Sequence, residues 1–353
     1  MKKNNLLILI ISVLIIICAI VLCLTLYKRE KKIDSPIKND NNEKVEKNNV
    51  IENETKNFKI FNTSSKTRPY AIVVNNTPVA VKVQEGLNKA YLVYEFPTEG
   101  NTSRLMALYK DVDNINIGTI RSSRHNFTDY ANENDAIFVC YGWSHYSEDE
   151  LKKGSIDFIN GISSKYSSVF WRSNPEKLAS EHTAYTSISK IKDYVTKNNY
   201  RLESDNTLLL NYVNEDIDLS KFENSKSANT ITLPYGNITT VFKYNKDTKE
   251  YTKFVNKNEI KDHKTKEKIT TKNIIIVKID YKMASDNYYW DLKTTGTGNG
   301  YYITNGMSVP IKWEKTSRNA KSKYTYLDGK EIEVNDGRTY IEVHTNKKKV
   351  TIE

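Results

Sequence analysis

Cysteine is scarce in this chain: of three, Cys18 and Cys23 fall in an apolar N-terminal run, and Cys140 alone lies beyond it. The polar part of the chain therefore contains no internal disulfide. Cys140 closes the run DAIFVC and reads as a small apolar residue on a buried strand rather than a nucleophile. Signatures of chemistry are missing as well. There is no G-x-S-x-G elbow, no H-E-x-x-H pair and no Cys/His spacing of a zinc site, so the sequence assigns no catalytic residue, no metal and no cofactor. The stretch TGTGNG, Thr295 to Gly300, lacks the Lys-Ser/Thr ending of a phosphate loop and reads as a flexible turn between strands. No repeat of fixed length and no nucleic-acid recognition motif is present.

Arginine is the other scarcity, with 9 residues against 44 lysines. Yet between Tyr91 and Pro175 each type occurs 4 times, and GTIRSSRH (Gly118 to His125) sets two arginines three apart. A guanidinium holds a carboxylate or phosphate with a planar fork of donors, which a lysine ammonium cannot do. Arginine retained locally in a lysine-rich chain points to bidentate recognition of an anion. The structural alternative is an arginine tying a loop to backbone carbonyls or pairing with a partly buried acid.

What the chain does have is one long apolar run, Leu6 to Tyr27, 22 residues without a charge between MKKNN and KREKK. At about 1.5 Å per residue such a helix spans a hydrocarbon core of roughly 30 Å. The run is longer than the apolar region of a cleaved signal and has no A-x-A-like site. Ile17 and Leu22 stand before the two cysteines, where an acylated cysteine would need a small residue. An uncleaved transmembrane anchor over 1–30 is expected. Lysines flank it on both sides, and the positive-inside count by itself leans towards a cytoplasmic C-terminus. A single N-terminal anchor before a long polar region is nevertheless the usual arrangement of an exported domain, so the soluble part is placed outside the cell membrane. Residues 31–66, rich in Lys, Asn and Glu without a sustained period, read as a disordered tether that lets the folded part stand off the membrane.

The fold class expected beyond the tether is α+β. YAIVV, AYLVYEF, RLMALY and DAIFVCY are apolar runs of strand length, whereas SSRHNFTDYANEN, EDELKKGSIDFING and SISKIKDYVTKNN read as helices. They make 67–215 a mixed α/β domain. From 230 to 353 the runs TTVFKY, YTKFV, NIIIVKIDY, YYIT, VPIKW, KYTYL, KEIEV and RTYIEV make a β-rich domain, with YNKDTKEY, LDGK and NDGR expected as hairpin turns. The formal net charge is +10. Tyr235 to Glu353 carries a net +8 and Tyr91 to Pro175 a net −3, so the basic surplus belongs to the β-rich part. Such a surface beside a membrane meets anionic head groups and acidic wall polymers.

Candidate ligand-binding residues cluster where the apolar runs end. Asn75 and Asn76 follow YAIVV, Glu95 and Glu99 lie in and after AYLVYEF with Arg104 beyond them, and Ser144 follows DAIFVCY. Arg121, Ser122, Arg124, Arg172 and His182 complete the set. Ligands of open α/β sheets bind beyond strand ends, and parallel runs ending at Asn75, Glu95 and Gly142 would share one rim.

RPYAIVVNN, EGLNKAYLVYEFPTEGNTSR, GTIRSSR, GWS and EHTAY, in that order, resemble the N-terminal signature of the YerB-like extracytoplasmic proteins of Gram-positive bacteria, a family named by a domain of unknown function. NIIIVKI, NGMSVPIKWEK, LDGKEIEV and NDGRTYIEV are similar to its second domain. The chain departs from the family in lacking a lipobox and in carrying Glu181-His182 where relatives have Pro-His. The resemblance implies location and architecture, not chemistry. The expected function is a membrane-anchored envelope protein binding an anionic wall polymer, a peptidoglycan fragment or an envelope protein, with no nucleic-acid partner. The alternatives are an enzyme acting on a wall polymer with Glu95 or Glu99 as acid or base, which needs two carboxylates facing a cleft, and a structural or assembly factor.

Overall fold

The computed structural model describes residues 58–353 except 61, 63, 206 and 207. The expected anchor and most of the expected tether lie outside the described residues, and among the described residues no helix is long and apolar enough to cross a membrane. The last part of the tether region touches the body. The Phe58 ring lies 6.4 Å from that of Tyr212, and the Lys59 amide donates to Asp336 Oδ2 at 2.7 Å.

Eleven strands form a central mixed sheet: β1 (Tyr70–Asn75), β2 (Leu92–Thr98), β3 (Thr102–Tyr109), β4 (Ile137–Cys140), β5 (Phe158–Asn160), β6 (Lys226–Ser227), β7 (Asn273–Ile279), β8 (Gly296–Thr304), β9 (Met307–Lys315), β10 (Lys323–Tyr326) and β11 (Thr339–Thr345). Their order is β6-β9-β8-β7-β11-β2-β3-β1-β4-β5, with β10 against β9. Among the described residues three α-helices accompany it, α1 (Phe127–Glu133), α2 (His145–Lys152) and α3 (Ile188–Lys197).

The two sequence regions meet inside this sheet. β2 runs parallel to β11, with Leu92 opposite Thr339 and Glu95 opposite Glu342. Because successive side chains of a strand point to opposite faces, each face collects its own core. Ile72, Val74, Val93, Ala107 and Tyr340 join one, and Ala71, Val73, Met106, Phe138 and Ile341 join the other. Both cores draw on both sequence regions. The first is covered by α3 and by a six-stranded antiparallel sheet that includes Thr230–Pro234, Thr239–Asn245 and Glu250–Val255. Phe127, Tyr130 and Ala131 of α1 and Leu151 of α2 cover the second. Covering on both faces explains why YAIVV is apolar throughout rather than alternating.

Several local expectations are corrected. EDELKKGSIDFING is helical only through Lys152, and its later part supplies β5, parallel to β4. NDGR does not close a hairpin: Glu333–Asn335 before it pairs with Asn211–Val213, whereas β11 after it enters the central sheet. TGTGNG is not a turn but lies almost wholly in β8. Its glycines serve close approach, since a Cβ on Gly298 would strike the Trp313 ring and one on Gly300 the Ile276 carbonyl. YNKDTKEY does close a hairpin, with Tyr244 opposite Tyr251, and in LDGK the Tyr326 amide donates to the Lys330 carbonyl. Cys140 is fully buried in β4, where desolvation pushes its thiol up.

Candidate functional site

β1 and β4 are parallel neighbours, and β2 runs the same way beyond antiparallel β3. Their ends therefore share a rim. The pleat then divides the candidate residues. In register, Arg104 of β3 stands opposite both Asn75 and Phe96, and Phe96 belongs to the core under α1 and α2. Glu95, one residue earlier, turns to the other face.

There Glu95 is 0% exposed and contacts the stacked sheet. Its Oε2 lies 2.5 Å from Lys253 Nζ, and its Oε1 accepts from Asn76 Nδ2 (2.9 Å), Ser103 Oγ (2.6 Å) and Thr240 Oγ1 (2.7 Å). Glu342 lies beside it on β11, accepting from Tyr235 Oη at 2.7 Å. Burial, and after it the Glu95 charge, push the Glu342 carboxyl up. Glu95 and Asn76 thus belong to a closed network between two sheets. Glu95 and Glu99 are not a facing pair.

Glu99 follows β2 and collects two arginines from the opposite side of the sheet. Arg124 Nε donates to Glu99 Oε2 at 2.8 Å while its Nη2 bonds Oε1, a bidentate clamp, and Arg104 Nη2 reaches the same Oε1 at 3.1 Å. Burial alone would raise the Glu99 carboxyl, but the Arg124 hydrogen bonds and the charges of Arg104 and Arg124 outweigh it and hold the group below its ordinary value. Arg104 is pushed down to about 9, by burial first and then by the like charge of Arg124. Its Nη1 also donates to the Ser122 carbonyl at 2.7 Å, and the Arg124 guanidinium lies 5.0 Å from the Tyr289 ring centroid.

The remaining candidates stand around Arg121. Its Nη2 donates to Glu181 Oε1 at 3.3 Å, and its Nε is buried with no acceptor among the described residues. His182, beside Glu181, accepts at Nδ1 from Asn75 Nδ2 at 2.9 Å, and Asn75 Oδ1 accepts from the Thr77 amide at 3.2 Å. That pairing leaves the imidazole proton on Nε2, which lies 3.5 Å from Glu181 Oε1. Arg172 Nη1 bonds the Ser180 carbonyl (2.5 Å) and Thr183 Oγ1 (2.9 Å), and its guanidinium covers the Tyr141 ring at 4.9 Å. It holds the turn that carries Glu181 and His182. Ser122 Oγ donates to the Tyr141 carbonyl at 3.2 Å. Ser144 is the N-cap of α2, its side chain accepting from the Ser147 amide at 3.2 Å.

At the rim Arg104 and Arg124 thus share the largely buried carboxylate of Glu99, and Arg121 pairs with Glu181. Glu181 and Tyr141 were missed by sequence reasoning, although EHTAY does place an acid beside the candidate histidine. A cavity of about 400 Å³ elsewhere, lined by Lys59, Asp216, Lys272, Asp336 and Arg338 among others, contains none of the candidates. No group of three or more His, Cys, Asp or Glu placed to hold a metal occurs among the described residues.

The chain is similar to known proteins over most of its length. Residues 57–201 match the N-terminal domain, and residues 231–341 the C-terminal domain, of a family described as "Protein of unknown function (DUF3048)". The chain is 29% identical over 280 residues to the "Putative lipoprotein YerB" of Bacillus subtilis (strain 168), covering 78% of this chain and 81% of that protein. The crystal structure of the YerB protein from Bacillus subtilis superposes with a TM-score of 0.70 at 26% identity, covering 81% of this chain and 94% of that one.

Proposed function

The chain belongs to the DUF3048 family, and from that premise we propose that it is an extracytoplasmic protein of the cell envelope, held at the membrane by its apolar N-terminal run, that binds an anionic wall component or an acidic partner protein at the arginine rim. The name of the Bacillus relative, "Putative lipoprotein YerB", supports the location. One observation carries the binding role: Arg104 and Arg124 share one carboxylate, Glu99, and among the described residues Arg121 is paired only with Glu181, whose side chain is 52% exposed. An excess of fixed positive charge at a strand-end rim attracts anions. An enzymatic reading that uses Glu95 is not favoured, because that carboxylate is sealed between sheets with Lys253.

The test is binding of the full chain to isolated wall fragments at low salt. Arg121→Ala should weaken binding by about tenfold or more, the equivalent of losing one charge-assisted hydrogen bond, with little change in melting. Binding indifferent to this substitution would overturn the reading. Protease added to intact protoplasts should digest the polar part of the chain, and full protection would overturn the location.

A further inference from the structure

Arg121 and His182 already hold an anion, and it belongs to the protein. Glu181 Oε1 is the single atom that meets both, 3.3 Å from Arg121 Nη2 and 3.5 Å from His182 Nε2. The grip is incomplete. One oxygen is engaged through one arm of the guanidinium, while the adjacent Nε finds no acceptor among the described residues. The receiving groups are better fixed than the occupant. His182 is buried and held by Asn75, and the Arg121 side chain is only 22% exposed, whereas Glu181 is exposed and sits in a three-residue turn, Ser180–His182. A side-on pair of Nε and Nη2 donors is the arrangement that a carboxylate takes bidentately.

Resting on the anion-binding reading above, we propose that the ligand of this rim is a carboxylate, and that Glu181 is a built-in competitor which occupies the carboxylate position until the ligand displaces it. The incoming carboxylate takes both Arg121 donors and the His182 Nε2 proton, and Glu181 swings into solvent. Its Ser180 neighbour stays tied to Arg172, so the turn keeps its place while one side chain leaves. The free protein then shows an affinity reduced by the fraction of time the site is closed.

The experiment titrates the full chain and its Glu181→Ala and Glu181→Gln variants with three probes: acetyl-alanyl-alanine as the free acid, the same peptide as its C-terminal amide, and glycerol phosphate. The free acid should bind both variants about tenfold more tightly than the parent, the amide should bind none of them, and glycerol phosphate should gain nothing. The Arg121 Nε–H resonance should move downfield as the free acid is added, and Arg121→Ala in the Glu181→Ala background should abolish binding. Equal or greater gain for glycerol phosphate would overturn the carboxylate assignment while leaving an anion site. Free-acid binding unaltered by either Glu181 variant would overturn the competitor role alone, and free-acid binding absent while wall fragments still bind would overturn the carboxylate assignment. Loss of every anion, wall fragments included, would overturn both readings.

Discussion

Glu95 and Glu342 stand opposite one another on the parallel strands β2 and β11, and Lys253 of the stacked sheet lies 2.5 Å from Glu95 in a fully buried pair. Two carboxyls and one ammonium in a dry interior cannot all be charged without a large cost. Glu95 takes the Lys253 ammonium, whereas the Glu342 carboxyl, bonded by Tyr235, is pushed up by burial and then by the Glu95 charge.

Stability should therefore fall as pH rises above the ordinary carboxyl range. The Glu342 carboxyl is raised in the folded state from 4.5, so the folded protein binds the extra proton and the stabilisation present below that value is lost as pH climbs towards the folded-state value. The slope from one group is at most about 1.4 kcal/mol per pH unit. Glu342→Gln should melt progressively higher than the parent between pH 5 and 8, as followed by calorimetry. A constant difference over that range would remove Glu342 as the cause.

Lys253→Met should be far more damaging than a surface lysine change, because it strands Glu95. Breaking a buried pair in this way costs about 3–5 kcal/mol. The double variant Glu95→Gln with Lys253→Met should recover much of the loss in denaturant melts. Additive losses would mean that the two groups do not compensate each other.

The arginines should separate by role. Arg124→Lys keeps the charge but breaks the bidentate clamp on Glu99, a loss of roughly 1.5–3 kcal/mol, and should lower the melting temperature by several degrees. Arg121→Lys, whose partner is the exposed Glu181, should barely move it, since exposed pairs contribute little. Equal effects of the two would show that the rim is one structural network.

The basic C-terminal region should not fold by itself. β11 lies between β2 and β7, and removal of 67–215 would strip β11 of one neighbour and both cores of more than half their buried side chains. Tyr235 to Glu353 expressed alone should give the narrow amide dispersion of an unfolded chain in NMR spectra. A dispersed spectrum would show that this region closes a core of its own.

The sequence by itself determined the elements whose signal is local: the apolar runs that became β1 to β4, the helices around Tyr130 and Tyr194, the hairpin at YNKDTKEY, and the gathering of arginine before Pro175. Composition and side-chain period act over a few residues, so they are legible without the fold. Tertiary structure alone decided which strand each one joins. NDGR has the same turn chemistry as LDGK, yet turn residues specify backbone angles and not the partner of the strand that follows. Glycines in TGTGNG could mean freedom or room, and only the neighbouring Trp313 and Ile276 make it room. The split between Glu95 and Glu99 arose in the same way. A strand sends alternate side chains to opposite faces, and what waits on each face is set by residues far away in the chain: Lys253, 158 positions from Glu95, on one side and Arg124 on the other.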